Sequence, residues 1–340
     1  GGSDLASLIA QKRNIFRPRF WRMVRDILRF YREAPLALET GQAETQSLGD
    51  YLSAHRYSKS FINDHLLPMG AAIWSTPVDT MMEYPLAAFV RFCQNHGLLQ
   101  IKDRPQWRTV AGGSRQYVGR MIKEISGGVI LDSAIAQVGP NGKGGVFIEN
   151  RYGERTDYDH VVLACHGDQA LALQANPARA VRELLSAFQY ERNLAILHND
   201  ESLMPQTRKV WSSWNYLAEE HDGEQKVCVT YWMNRLQHLD EAQPLFVTLN
   251  PARAPREGSV IRSFLYDHPV FDAAAMDAQK RLWSIQGMDN IWYCGSYFGY
   301  GFHEDGIQSG LAVAEALGGV RRPWNVENES GRIHLGPVDT

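Results

Sequence analysis

Paired cysteines are missing. The four cysteines of the 340-residue chain, Cys93, Cys165, Cys228 and Cys294, lie far apart, with no C-x-x-C. That spacing argues against a zinc ribbon or a disulfide framework and for reduced, buried thiols in a cytoplasmic protein. Long apolar runs are missing too: none approaches the roughly 18–20 residues of a membrane span. The opening stretch "GGSDLASLIAQKRN" lacks the apolar core of a signal peptide. An excess of one charge is absent: 35 Lys and Arg stand against 38 Asp and Glu, a formal net charge of -3, which argues against a general nucleic-acid binder. Neither internal repeats nor low-complexity tracts occur.

What is present is ample core material. Hydrophobic residues make up 44% and charged residues 21%, the balance of a folded globular chain. The length suits two domains or one large interwoven unit. Fourteen tyrosines, thirteen phenylalanines and nine tryptophans suit an apolar pocket for a flat or greasy ligand, or plain core packing.

Residues 1–104 read as mostly helical. "NIFRPRFWRMVRDILRFYREA" sets Phe16, Phe20, Val24, Ile27, Leu28 and Tyr31 at helical spacing. Basic residues from Lys12 to Arg32 are opposed only by Asp26 and Glu33. Such a helix can lie on an anionic membrane surface as a peripheral contact, or present a solvated charged face. Further helices are broken at Pro68, Pro77 and Pro85. Between residues 105 and 175 the pattern turns mixed. "WRTVA", "GVILDSAIAQV", "GGVFIEN" and "HVVLAC" read as strands, "GPNGKG" and "RYGERTDYD" as turns. "HGDQALALQANPARAVRELLSAF" reads as helix. Residues 176–284 carry "RNLAILH", "KVWSSWNYLA", "KVCVTYWMN" and "LFVTLNP", the strands of an antiparallel sheet with aromatic faces. A helix, "HPVFDAAAMDAQKRLWSI", follows them. Residues 285–318 hold a strand, "NIWYCGS", a glycine-rich turn and a helix, and residues 319–340 form a polar, loose tail. The alternation predicts a discontinuous two-domain enzyme.

The turn "GSYFGYGFHEDGIQSGLAVAEAL" carries the chemistry. A helix start has unpaired N–H groups and partial positive charge, and glycine lets a ligand approach the backbone. Amides of Gly306 and Ile307 are therefore candidates to face a phosphate or another electron-rich group. Gly310 would permit close helix packing and Gly318 would cap the C-terminus. A capped helix after a loop is the plainer alternative. A metal site from His303, Glu304, Asp305 and His268 is disfavoured, since the spacing is not H-E-x-x-H.

This segment resembles the C-terminal flavin-binding segment of the FAD-dependent amine-oxidase-like oxidoreductases, and most of all their bacterial branch of predicted NAD/FAD-binding proteins. "QKRNIFRPRFWRMVRDILRFYREAP", "LLPMGAAIWSTP", "FVRFCQNHGLL", "DRPQWRTVAGGSRQYV" and "VVLACHGDQALAL" are similar to that branch as well. The resemblance covers nearly the whole chain. It implies a mixed α/β (α+β) fold: a Rossmann-like FAD/NAD(P)-binding domain interwoven with a helical and antiparallel-sheet substrate domain. FAD is the implied cofactor. Gly295 and Ser296 match the ribityl-pyrophosphate contact; Phe302 and His303 match residues against the isoalloxazine ring. Glu304, Gly306 and Ile307 match the helix start facing the flavin, and Ile135 the residue that meets adenine. Gly112 and Gly113 match the double glycine before the central helix; Cys165 and His166 stand where many relatives have Thr-Pro. Ser296 replaces the acid usual in the family.

Relatives begin with a strand, G-x-G-x-x-G and a helix. The 340 residues contain no such motif and start at a point well inside the relatives, so an N-terminally incomplete family member is expected. The implied reaction is hydride transfer to flavin from an amine or an unsaturated or acyl, lipid-like substrate. Trp74, Trp214, Tyr216, Tyr231, Trp232, Tyr297 and Tyr300 are substrate-side candidates, each with core packing as its alternative. His303 is the candidate proton relay. The competing function is a non-catalytic binding or assembly protein derived from the family. Substrate identity, electron acceptor and oligomeric state are not legible.

Overall fold

The computed structural model describes residues 11–74, 80–101, 106–221 and 224–336. Pro77, expected to break a helix, lies outside them. In chain order the main helices and strands are α1 (Pro18–Glu39), α2 (Leu48–Ala54), α3 (Leu67–Trp74), α4 (Leu86–Asn95), α5 (Arg115–Glu124), β1 (Ile135–Pro140), β2 (Val146–Asn150), β3 (Arg155–Tyr158), β4 (Val161–Leu163), α6 (Gly167–Ala172), α7 (Arg179–Leu185), β5 (Gln189–His198), β6 (Trp214–His221), β7 (Glu224–Trp232), α8 (Met233–Gln237), β8 (Phe246–Leu249), β9 (Val260–Val270), α9 (Ala273–Arg281), β10 (Ile291–Tyr293) and α10 (His303–Ala316). They fall into two compact units: residues 1–127 with 192–268, and residues 128–191 with 269–340. The chain passes between units at 127/128, within β5 and within β9; the sequence pattern had suggested changes near 104, 175 and 284.

In the first unit, α1 starts with Pro18 in its first turn, where a missing N–H costs nothing. Phe20, Phe30, Ala34 and Ala37 recur at helical spacing and are buried. Phe30 is the hub, with the rings of Tyr51, Tyr57, Phe61 and Phe89 centred 5.5–6.3 Å away. Asp26, buried on the same helix, accepts the Ser58 N–H at 2.9 Å. Ser47 caps α2, and Asp50 accepts back from the Ser47 N–H at 3.2 Å. Pro68 does not break its helix: it sits in the first turn of α3, after a π-turn at Ile62–Leu66. The five-stranded sheet of this unit runs β6-β7-β8-β5-β9. β9 escaped the sequence pattern because its two faces are not split into apolar and polar; Val260, Ile261 and Leu265 are all exposed.

The second unit holds an antiparallel sheet β1-β2-β3 and a parallel pair, β4 with β10, in the register Val161↔Ile291 to Leu163↔Tyr293. Its core gathers Val138, Val161, Leu163, Leu184, Leu185, Phe188, Tyr293 and Ala312. "GERTDYD", read as a turn, supplies the exposed strand β3. "GVILDSAIAQV" was expected to be one strand. Regular pairing begins only at Ile135, and Val129, Ile130 and Leu131 are exposed with no strand partner among the described residues. "WRTVA" forms no strand either. The long helix expected after Cys165 is two, α6 and α7, parted at Asn176–Pro177. Up to residue 336 the expected loose tail is tied down: Arg322 and Ile333 are buried, and Arg322 grips Glu315 of α10 at 2.8 and 3.2 Å.

A directed hydrogen-bond chain crosses the buried face of the first unit's sheet. The Asp200 N–H donates to His198 Nδ1 (3.1 Å), so the imidazole proton sits on Nε2 and donates to Thr248 Oγ1 at 2.7 Å. Thr248 then donates to Thr230 Oγ1 (2.8 Å) and Thr230 to the Leu203 carbonyl (3.2 Å). Burial pushes the His198 pKa below its ordinary 6.5. Asp200 would be raised by burial, but N–H groups of Arg256 and Ser202 and the Arg256 side chain bring it down to about 2. The sign follows for both. A histidine held neutral stabilises the fold above pH 6.5, and that stability is lost as pH falls below it. The Asp200 contribution is present above 3.8 and lost as pH falls toward 2. Urea midpoints should therefore decline between pH 7 and 5, and less steeply in His198→Gln. Thr230→Val, which strands the Thr248 hydroxyl, should cost about 1–3 kcal/mol in the same assay.

Candidate functional site

In the second unit, the turn between β10 and α10 is built around one carboxylate. Asp305, fully buried, accepts the N–H groups of Tyr300 (3.0 Å) and Phe302 (2.8 Å) on Oδ2. Arg332 grips both its oxygens, Nε to Oδ1 at 2.6 Å and Nη2 to Oδ2 at 3.2 Å. A Cβ on Gly299 would lie 2.4 Å from Asp305 Oδ1, so only glycine fits there. The Arg332 N–H donates to Gln308 Oε1 (3.0 Å), and Gln279 of α9 donates to the Tyr297 carbonyl (3.0 Å). Ser309 closes the other end, accepting the Gly295 N–H at 3.0 Å. Gly318 and Gly319 end α10 in a Schellman arrangement, with Gly319 N–H on the Ala314 carbonyl at 2.8 Å and Gly318 at φ +88°.

Because α10 begins at His303, the amides of Gly306 and Ile307 are not the unpaired ones. Gly306 N–H already donates to the Phe302 carbonyl (3.2 Å), and Ile307 lies deeper in the helix. In this turn and the first turn of α10, the N–H groups of Ser296, Tyr297, His303 and Glu304 meet no acceptor among the described residues, and of these His303 and Glu304 stand at the helix start. The Ser296 nitrogen is 4.0 Å from the place a Gly306 Cβ would take. His303, Glu304 and Ile307 are exposed, Phe302 half-buried. Gly310 does not serve close packing, since an added Cβ meets nothing within 4 Å.

The C-terminal ends of both parallel strands converge here, the place where open α/β sheets take ligands. The Cys165 carbonyl lies 3.4 Å from a would-be Gly295 Cβ. His166 stacks on Tyr190 at 4.4 Å, and its Nδ1 is buried with no hydrogen-bond partner among the described residues. Burial raises the Cys165 thiol and lifts Cys294 to about 11, so neither is poised as a thiolate. Asp305 is consumed by the loop, and no cluster of metal-ligating side chains exists among the described residues. Ile135 sits at the start of β1, next to a bulge and half-buried against the core. A hollow of about 330 Å³ lies between α6 and α7, lined by Asp168, Leu171, Leu185, Phe188 and Tyr190; none of the expected site residues lines it.

The expected substrate residues divide between units. Tyr297 packs in the core of the second unit, on Phe188 and Phe298, so it does not line an open surface. Tyr300 is half-buried with the Arg332 guanidinium 5.5 Å from its ring. In the first unit Trp214 stands opposite Tyr231 and two residues from Tyr216, so the three share one face of the sheet. Trp232 takes the other face and packs edge-on against Trp211. Trp74 is buried at one end of a row of rings, Trp74–Phe92–His96–Trp107–Trp214, spaced 4.0–6.0 Å. His96 and Trp107 were missed because only the fold joins them to the others. Gly112 and Gly113, at φ +79° and +81°, make the turn into α5, which only glycine takes without strain.

Comparison of sequences alone finds no matching protein-family model and no matching curated protein. Comparison of structures finds a fold. A single-substitution variant of putrescine oxidase matches with TM-score 0.59 at 14% identity, over 87% of this chain and 75% of that one. The fatty acid isomerase of P. acnes that produces CLA matches with TM-score 0.54 at 13% identity, over 84% and 72%. Cyclohexylamine oxidase from Brevibacterium oxydans IH-35A matches with TM-score 0.52 at 12% identity, over 82% and 69%. The mixed α/β fold of this chain is the one these structures share. Among the described residues no helix is long and apolar enough to cross a membrane.

Asp305→Asn should lower stability by about 3–5 kcal/mol, since it leaves the Arg332 charge uncompensated. Gly299→Ala should destabilise comparably, whereas Gly310→Ala, on an open helix position, should be neutral or stabilising by up to about 1 kcal/mol. Guanidinium unfolding of the three variants checks the order.

Proposed function

We propose that the chain is an FAD-dependent oxidoreductase of the amine-oxidase or desaturase type, taking hydride from a C–H bond of an amine or of an unsaturated or acyl, lipid-like substrate. One observation supports it above the others: at the C-terminal ends of two parallel strands the backbone N–H groups of Ser296, His303 and Glu304 have no acceptor among the described residues, and the Ser296 nitrogen lies 4.0 Å from the place a Gly306 Cβ would take. The fold shared with two amine oxidases and a fatty acid isomerase agrees with this reading.

The residues present suit the cofactor. Gly295 and Ser296 would hold its ribityl-pyrophosphate region; Phe302, His303, Glu304, Gly306 and Ile307 would face its ring, and Ile135 its adenine. His166 Nδ1, buried and unpartnered, is a further group that a ligand would satisfy. When bound, FAD supplies the two-electron acceptor. The chain's part is positional. Amides at the start of α10 stabilise negative charge, by the helix dipole and without a titrating group. His303, exposed at the first helical position, can exchange a proton with solvent or substrate. Trp214, Tyr216 and Tyr231 offer a flat aromatic face to an apolar substrate.

The test is cofactor uptake. Protein purified in the presence of FAD should carry the visible absorption of oxidised flavin and quench its fluorescence on titration. Ile307→Asp should weaken FAD binding about tenfold by placing a charge against an electron-rich ligand at an exposed position, while leaving stability within about 0.5 kcal/mol. A colourless chain that takes up no added FAD would overturn the proposal and leave a non-catalytic binding role.

A further inference from the structure

The solvent face of α1 carries none of the residues assigned to the cofactor or the substrate. At 100° per residue, Arg17, Trp21, Arg22, Arg25, Leu28, Arg32 and Leu36 fall within an arc of roughly 140°. All seven are exposed, and Trp21, Leu28 and Leu36 keep 50%, 49% and 51% of their surface in water. Just before the helix, Phe16 is 85% exposed. Apolar and cationic side chains thus alternate along one strip, opposite the face that buries Phe20, Phe30, Ala34 and Ala37. Arg22 has no carboxylate partner among the described residues, and Arg25 reaches only to 3.8 Å of Asp26. Glu39, the last residue of the helix, is the one exposed acid on the arc. Apolar side chains scattered singly on a surface need no explanation, but here three share one arc of one helix, with Phe16 just before it. A protein partner's apolar surface would not match four arginines in this spacing.

We propose that this face of α1 docks on an anionic lipid bilayer, Trp21, Phe16 and Leu28 entering the interface and Arg17, Arg22, Arg25 and Arg32 meeting lipid phosphates. Tryptophan favours the headgroup level, and long arginine side chains reach outward from a helix lying in the interfacial plane. The negative surface potential of such a bilayer attracts each cation, and salt weakens that attraction within a Debye length. Both signals are needed, since either alone holds weakly.

Full-length protein should co-sediment with vesicles of phosphatidylcholine mixed with phosphatidylglycerol, and not with phosphatidylcholine alone. Each arginine removed should lower partitioning about fivefold, so the triple change Arg22→Gln, Arg25→Gln and Arg32→Gln should lower it about a hundredfold. Trp21→Ser with Phe16→Ser should also release the protein while leaving its charge unchanged. Arg179→Gln with Arg182→Gln, exposed on α7, should leave partitioning within twofold of the parent. Circular dichroism before each assay confirms the fold. The proposal is overturned if anionic and neutral vesicles sediment the protein equally, if the α7 pair lowers partitioning as much as the α1 changes, or if an oligonucleotide binds this face and anionic vesicles do not. Flavin uptake is read separately, so failure here leaves the cofactor proposal standing.

Discussion

The second unit depends on one buried ion pair. Asp305 is fully buried, so its charge must be met by protein, and three groups meet it: Arg332, and the N–H groups of Tyr300 and Phe302. The donors come from two distant stretches of chain. The carboxylate therefore shapes the glycine turn, starts α10 and ties the tail back in one contact. The second tail clamp, Arg322 on Glu315, lies farther along the same helix, and Arg322 holds the Glu315 carboxyl down at about 2. A buried pair of this kind adds little net stability against an apolar pair of like shape. Its value is definition: together with the Ser309 and Gln279 clamps, it fixes where the loop's free amides point.

The first unit solves the same problem without a salt bridge at its centre. His198, Thr248 and Thr230 pass one hydrogen-bond direction from strand to strand, so the polar groups that share the buried sheet face with Trp232 and Phe246 are satisfied. The face that carries Trp214, Tyr216 and Tyr231 can then remain aromatic.

Legibility in the sequence followed the range of the interaction. Strand β10, the turn and helix α10 are local, and periodicity with glycine placement located them. Helix α1 was readable because its buried positions repeat within one segment. Asp305 enters the sequence reading only in a disfavoured metal set, because its partner Arg332 is 27 residues away in a tail whose composition says loop. The unpaired amides were assigned to Gly306 and Ile307 because the helix start was placed three residues late; a cap made by Asp305 on Phe302 N–H has no Ser or Thr to announce it. Val129–Leu131 reads as strand by propensity, but a strand needs a ladder partner, and none of the described residues supplies one. His198, Thr230 and Thr248 look unremarkable singly and matter only as neighbours across strands.

The glycines of the turn separate what the protein needs for itself from what it does not. Gly299 is explained internally, by Asp305 Oδ1 at 2.4 Å from its would-be Cβ, and Gly295 by the Tyr297 ring at 2.8 Å. Gly301 lies at φ +88° against Phe271. These three would be glycine with or without a ligand, so their clustering, which first suggested an anion loop, is weak support for one. Gly306 and Gly310 differ. They lie within a helix, where glycine costs up to about 1 kcal/mol relative to alanine. An added Cβ at either would meet no protein atom closer than 4.0 Å. Nothing in the chain's own packing repays that cost at either position. Gly306 is also the one whose would-be Cβ faces the unpaired Ser296 amide at 4.0 Å, where a flat group pressed against the helix start would forbid a side chain. The two glycines the fold leaves unexplained carry more weight for a cofactor than the three that drew attention to the motif.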